Sequence, residues 1–361
     1  MADRSRFDTA RHLLQTSTER RLFPAYSAEV GSSDDVLWRE AGGHLTFDVG
    51  TPATSETIFD LASLTKPMAT TSVVLHAIDR GRISLDRTLR TLFDDWRGDD
   101  RSRVTIQDLL EHAGGLSARL VDRPPDTARD FEHEICTMPL EYEPRTRSLY
   151  TDLGFILLAF ACERVEQRPF ADLAADLLQT CVAAGMRGND TAELLTAVAV
   201  ADRVRTAPTT PLIEDRRRGR MLVGDVHDNY AAALGGFAGH AGLFGTAPGV
   251  GAFARVMLRA VRGDRSMPPP FTPAMARRAV TRSNVPGSSR ALGWDTMRST
   301  SSCGSHLSLE AFGHVGFTGT SLWIDPTHDR YYVLLTNRVC NGGTSDEMQA
   351  IRRSFHDIVA A

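Results

Sequence analysis

Lysine is all but missing from this chain. Of its 41 basic residues, 40 are arginine and one is Lys66. Arginine stays protonated at physiological pH, whereas a buried lysine can shift its pKa and act as a base. An arginine-biased composition would also leave a stray lysine. This one, however, stands in Ser63-Leu64-Thr65-Lys66, where a neutralisable amine three residues from a hydroxyl has a chemical use. Cysteine is scarce as well. Cys136, Cys162, Cys181, Cys303 and Cys340 are odd in number, widely spaced and without a CxxC pair, which argues against a disulfide framework or a zinc site and predicts reduced, mostly buried thiols. Apolar runs are short: the longest, Leu153 to Cys162, is about half of what a membrane-spanning helix needs. The opening MADRSRFDTARHLLQ lacks the apolar core of a secretory signal, so a soluble, cytoplasmic protein with no membrane partner is expected. A surplus of one charge is lacking too. With a net charge of -4 and arginines interspersed among acids, no nucleic-acid partner is expected.

What is present reads as ordinary globular composition, 42% hydrophobic and 24% charged, and 361 residues suffice for one large domain or two moderate ones. Apolar spacing predicts a helix from about Ser5 to Leu22, then a hairpin of strands near 25–30 and 36–41. A helix is expected from Ser63 to Arg80, stopped by Gly81, with Pro67 in the first turn where its missing N–H costs little. Residues 106–112, 131–138, 153–165, 170–184 and 191–201 read as helices. Strands return at 320–324 and 331–336, and a closing helix runs from Ser345. Strands at both termini around a helical middle predict an α/β (α+β) fold: a mostly antiparallel sheet flanked by helices, from residues 1–80 and 205–361, with 81–204 an inserted helical lobe and the active site in the cleft between them.

Three short clusters share the logic of acyl transfer. Ser63 and Lys66, three apart at a helix start, share one face, and the helix N-terminus supplies unpaired N–H groups and partial positive charge. Ser63 is thus placed as a nucleophile whose own N–H can bind an oxyanion, with Lys66 as the group that takes its proton. Tyr150-Thr151-Asp152 precedes the apolar helix at 153; Asp152 or Thr151 would cap that helix, and Tyr150 beside a lysine could shuttle protons. Gly313-His314-Val315-Gly316-Phe317-Thr318-Gly319-Thr320 precedes or begins an edge-type strand, where glycines admit close backbone approach and the Phe317 N–H could be a second oxyanion donor.

In their order along the chain, Ser63-Leu64-Thr65-Lys66, Tyr150-Thr151-Asp152 and His314-Val315-Gly316 resemble the S-x-x-K, Y-x-N and K-T-G or H-x-G motifs of the serine β-lactamase and penicillin-binding superfamily, in its class C β-lactamase, DD-peptidase and family VIII carboxylesterase branch. Weaker family-like phrases lie at 82–86, 109–116 and 235–244, and the resemblance runs from about residue 25 to 340. It implies a β-lactamase/transpeptidase-like fold, an acyl-enzyme on Ser63, Lys66 as base or base partner, and Tyr150 as the relay to the leaving group and the deacylating water. Asp152, His314, Gly316 and Phe317 would line the substrate pocket, with the N–H groups of Ser63 and Phe317 as the oxyanion hole. No cofactor is implied. Two positions depart from the family pattern. Asp152 replaces an amide donor by an acceptor, which favours a charged Lys66. His314 replaces a lysine by a mostly neutral ring, which weakens the anchoring of a substrate carboxylate.

The expected activity is therefore a serine hydrolase, foremost a carboxylesterase acting on small esters. A β-lactamase or D-amino-acid (DD-) peptidase is the alternative; a non-turnover ligand-binding or sensor protein, or an acyltransferase on the same fold, is a further one. The expected partner is a small-molecule ester or amide. Asp225, His227, Asp228 and Asn229 with His240 offer metal-type ligands, but without HxH, HExxH or a cysteine pair they read better as a hydrogen-bonded loop beside the site.

Overall fold

The computed structural model of the chain describes residues 2–48, 50–120, 124–187 and 191–361. In the first half lie α1 (Ala2–Glu19), β1 (Ala25–Gly31), β2 (Val36–Gly43), β3 (Phe59–Asp60), α2 (Ser72–Asp79), α3 (Ile106–Leu110), α4 (Ala128–Thr137), α5 (Leu153–Glu166) and α6 (Phe170–Gly185). The second half adds β4 (Leu194–Leu195), α7 (Asn229–Ala233), β5 (Phe244–Gly245), α8 (Ala247–Arg262) and α9 (Pro273–Val280). It closes with β6 (Asp295–Thr296), β7 (Phe312–Val315), β8 (Ser321–Asp325), β9 (Arg330–Thr336) and α10 (Ser345–Ala360).

Six strands form one antiparallel sheet in the order β2-β1-β9-β8-β7-β6. The N-terminal hairpin joins the C-terminal strands through β1 and β9, in register from Tyr26↔Thr336 to Gly31↔Tyr331. Every residue of β1 is buried, because α1 and α10 cover one face of the sheet and α8 the other. A fully buried side chain such as Phe355 of α10 contributes about 1.5–3 kcal/mol. Helices α3, α4 and α6 pack on α5, and α6 also runs along α8, which seats it against the sheet. All five cysteines are free and buried. Among the described residues no helix is long and apolar enough to cross a membrane.

Two expected helices take other forms. Residues 191–201 hold β4 and the start of a 3-10 turn, Val200–Arg205, because Leu194 and Leu195 pair with Gly245 and Phe244 of β5 and the Glu193 N–H bonds the Thr246 hydroxyl. Long-range pairing overrides the local helix pattern there. The helix expected over 63–80 is composite: a 3-10 turn at Ala62–Leu64, a π turn at Lys66–Thr71 that contains Pro67, then α2, with Gly81 ending it at φ 68° as expected. Tertiary bonds fix its start, from the Leu61 N–H to the Leu243 carbonyl (2.9 Å) and from the Thr70 hydroxyl to the Gly239 carbonyl (2.6 Å). π turns cluster at functional sites.

Candidate active site

Between Leu61 and Thr71, Ser63 alone is not buried. The chain turns sharply to present it: Ala62 takes a left-handed φ of 48°, which costs a residue with a Cβ about 1–3 kcal/mol and persists only where neighbours enforce it. Asp60 enforces it. Its Oδ1 accepts the Ala62 N–H at 2.8 Å, and its Oδ2 accepts the His227 N–H at 2.7 Å. Burial pushes this carboxyl up to about 6, against the pull of the two amide bonds. The Thr65 hydroxyl, which donates to the Ala62 carbonyl (2.6 Å) and accepts from the Leu243 N–H (3.1 Å), closes the turn.

Lys66 lies beneath Ser63, fully buried. Its Nζ donates to Ser63 Oγ at 3.1 Å, Asp152 Oδ1 at 2.8 Å and the His240 carbonyl at 3.0 Å. Burial works against the charged amine, but the Asp152 carboxylate and the Tyr150 hydroxyl outweigh it and hold Lys66 above its ordinary value. The resting lysine is an ammonium, held charged by the acceptor at position 152, and must be neutralised before it can take a proton.

Asp152 opens α5 without a capping bond; the Thr151 hydroxyl accepts the Leu153 N–H instead, at 3.1 Å. The Asp152 carboxylate is thereby free to face Lys66 through Oδ1 and the guanidinium of Arg119 through Oδ2, at 3.6 Å. Tyr150 stands between two imidazoles, its ring centroid 4.7 Å from that of His112 and 5.8 Å from that of His314. Lys66 Nζ lies 4.9 Å from that centroid and the Arg290 guanidinium 5.0 Å. Burial, with the charges of Arg290 and Lys66, pushes both histidines well below their ordinary value, so both rings are neutral at pH 7. His112 uses Nδ1 to accept the Thr151 N–H (3.1 Å). His314 Nδ1 faces the Val315 carbonyl (2.8 Å) as donor, and its buried Nε2 has no partner among the described residues.

The third cluster spans the end of β7, which is not an edge strand throughout. Its first half is covered by β6 through Asp295↔Gly313 and Thr296↔Phe312, and its outer edge opens to the cleft from His314 onward. Gly316 rests on the nucleophile turn: a Cβ there would sit 2.6 Å from the Leu61 carbonyl oxygen and collide with Thr320 Oγ1. The hydroxyls of Thr318 and Thr320 bond the Asp60 (2.7 Å) and Leu61 (3.1 Å) carbonyls, tying strand to turn. Among the described residues the N–H groups of Ser63 and Phe317 meet no protein acceptor. The Phe317 side chain, 52% exposed, packs against His227 and beneath the Arg338 guanidinium.

These residues surround a cavity of about 720 Å³. Ser63, Tyr150, Asp152, His314, Gly316 and Phe317 all line it, and Lys66 lies just under its floor. The 225–242 segment forms a wall, in which His240 Nε2 pairs with Asp228 Oδ1 at 2.7 Å and Arg119 reaches Asp228 Oδ2 at 3.6 Å. His240 and Arg119 hold the Asp228 carboxyl below the usual range despite its burial. No cluster of metal ligands occurs among the described residues. Asp60, Arg119 and Arg290 gave no sequence signal, since each reaches the site from a separate loop or strand end. His112 lay inside the 109–116 phrase without an assigned role.

Comparison with known proteins gives a family and a fold. The family model described as Beta-lactamase matches residues 10–354. The chain is 28% identical over 310 residues to the N-acetylmuramyl-L-alanine amidase of Bacillus subtilis (strain 168), spanning 79% of this chain and 68% of that one. Its fold is similar to that of EstCE1, described as a hydrolase with promiscuous acyltransferase activity, at a TM-score of 0.76 and 17% identity with 100% of each chain covered. A Beta-Lactamase/D-Alanine Carboxypeptidase from Pseudomonas syringae gives a TM-score of 0.75 at 15% identity, with 98% of each chain covered.

Proposed function

The chain belongs to the beta-lactamase family, and from that premise we propose that it is a serine carboxylesterase working through an acyl-enzyme on Ser63. The observation that carries the proposal is the 3.1 Å contact of Lys66 Nζ with Ser63 Oγ under an open cavity, beside two N–H groups without acceptors. An ester carbonyl seated against Ser63 would point its oxygen at the N–H groups of Ser63 and Phe317. As Oγ adds to carbon, those donors take up the developing negative charge, an effect of about 10²–10³-fold per donor. The Ser63 proton leaves toward Lys66 and its partners, and Tyr150, on the same wall, faces the departing alkoxide as its proton source. A water entering from the cavity then repeats the sequence on the acyl-enzyme.

A neutral ester is favoured because the third motif presents the uncharged His314 where a fixed cation would select a carboxylate. One observation favours a second reading, a β-lactam or D-amino-acid peptide. The Arg290 guanidinium lines the cavity and has no hydrogen-bond acceptor among the described residues, so a substrate carboxylate could pair with it. Purified protein assayed with p-nitrophenyl acetate and butyrate, nitrocefin and a D-Ala-D-Ala peptide separates the two. Ester kcat/KM exceeding the others supports the esterase; turnover confined to nitrocefin or the peptide overturns it in favour of the second.

A further inference from the structure

We infer that Arg352 is a positioning residue for the oxyanion hole: from behind the loop that follows β7 it aims and polarises the peptide group whose N–H, that of Phe317, faces the reacting carbonyl. This rests on the serine-hydrolase reading above. A trans peptide group points its C=O and its N–H in opposite directions. The Gly316 carbonyl and the Phe317 N–H are the two ends of one such group, so whatever holds the Gly316 oxygen fixes where the Phe317 N–H points. That oxygen accepts the Gly319 N–H at 3.1 Å, within the loop itself, and Nη2 of Arg352 at 2.6 Å. The second bond is the shorter and its donor is a cation, which makes it about twice as strong as a neutral one.

The same Nη2 donates to the Thr320 carbonyl at 2.9 Å, and that carbonyl also accepts the Gly316 N–H at 2.8 Å. One nitrogen carried on α10 thus pins both ends of the 316–320 loop. Arg338 holds the middle: its Nη2 donates to the Phe317 carbonyl at 2.6 Å, and its Nη1 to the Gly343 carbonyl at 3.0 Å. The hydroxyls of Thr318 and Thr320 tie the loop to the nucleophile turn. The carbonyls of the loop are therefore held from one side by two arginines, while the Phe317 N–H is left without a protein acceptor among the described residues.

A role in folding alone fits this arrangement poorly. Arg352 is 7% exposed and Arg338 8%, and neither has a carboxylate partner among the described residues. Burial, and then the charge of Arg338, pull the Arg352 guanidinium below its usual value, and its Nε is buried with no partner among the described residues. Burying a cation without a counter-ion is costly, and a neutral donor would suffice to close a loop. A cation on the Gly316 oxygen does something that a neutral donor does less well. It draws electron density toward that oxygen and leaves the Phe317 N–H a stronger donor. As negative charge develops on the substrate oxygen, the guanidinium stands on the far side of the same peptide group, where low local dielectric screens its attraction little.

The test compares wild type with Arg352→Met, Arg352→Lys and Arg338→Met on p-nitrophenyl butyrate. Circular dichroism checks folding, and the final stoichiometry of fluorophosphonate labelling at Ser63 counts active sites. The diagnostic readout is the inhibition constant of an aryl trifluoromethyl ketone, whose hemiketal on Ser63 places a negative oxygen in the hole. Per active site, Arg352→Met should lose kcat toward the about 10²–10³-fold that one missing donor costs. Its KM should stay near that of wild type, and its affinity for the ketone should fall by a similar factor to kcat. Arg352→Lys, which keeps a cation able to reach one carbonyl, should recover part of both losses. A merely structural arginine would lower Tm and the number of active sites yet leave kcat per site and ketone affinity unchanged in Arg352→Met; that result overturns the inference. If Arg352→Met does not fold, Arg338→Met decides. Releasing the Phe317 carbonyl should lower kcat and ketone affinity together, and unchanged values overturn the inference. Absence of Ser63 labelling in wild type instead defeats the underlying serine-hydrolase reading.

Discussion

Gly316→Ala is a one-carbon change whose consequence can be worked through the site. The added Cβ would lie 2.6 Å from the Leu61 carbonyl oxygen, against an ordinary contact of more than 3.4 Å, and would also strike Thr320 Oγ1. The threonine can rotate only by giving up its 3.1 Å bond to the same Leu61 carbonyl, and that carbonyl is backbone. Something close to an ångström of separation must open between the end of β7 and the nucleophile turn. Overpacking of this kind costs about 1–3 kcal/mol of stability. The larger effect is on geometry: the N–H groups of Ser63 and Phe317 lie on opposite sides of this contact, and moving one out of range removes an oxyanion donor, about 10²–10³-fold in kcat. Ester hydrolysis by Gly316→Ala, with thermal unfolding in parallel, should show a kcat loss of that order, a smaller change in KM and a lowered Tm. A variant with unchanged kcat would refute the argument that this glycine sets the spacing of the two donors.

Lys66→Arg should be nearly inactive although it keeps the charge, because a guanidinium releases no proton in this pH range; Lys66→Met, of similar length, should be comparably inactive yet folded, and an active Lys66→Arg enzyme would return the lysine to a purely electrostatic role. His314→Ala should mainly change KM or substrate preference, since the ring is held neutral, and a kcat loss matching that of Tyr150→Phe would overturn that ranking. Stability should also fall in acid through His356. Burial, and then Arg352, push this imidazole down to about 3 from 6.5, so the unfolded chain binds the proton first. Its contribution is complete above pH 6.5 and is lost as pH drops toward 3; a His356→Gln variant should show a flatter acid limb in chemical denaturation, and an unchanged slope would count against the buried, neutral ring.

The three motifs were legible because each is local. Ser63 and Lys66 meet across one turn, Asp152 follows Tyr150 by two residues, and His314 to Phe317 are consecutive, so spacing alone put them in plausible relation. The outer strands were legible for a similar reason: residues 25–41 and 321–336 are apolar segments bounded by turn residues, and they meet in one sheet. What the sequence hid is tertiary. Asp60 looks like any acid until its two oxygens are seen to hold Ala62 and His227. Arg119 and Arg290 are two among 40 arginines, and only the fold separates them from the rest. Leu194 and Leu195 sit in a helix-like stretch, yet pairing with β5 decides their conformation. The charge on Lys66 could be argued from Asp152 replacing an amide, but its weight depends on a 2.8 Å contact between residues 86 positions apart.

The central claim is that Ser63 is the nucleophile of an acyl-enzyme. Incubating the protein with p-nitrophenyl acetate at low pH, quenching within the burst and mapping the mass shift by peptide sequencing tests it directly. The account predicts one acetyl group per chain, on the Ser63 hydroxyl, and none in Ser63→Ala. Acetylation at another residue, or burst and turnover that survive in Ser63→Ala, would contradict it.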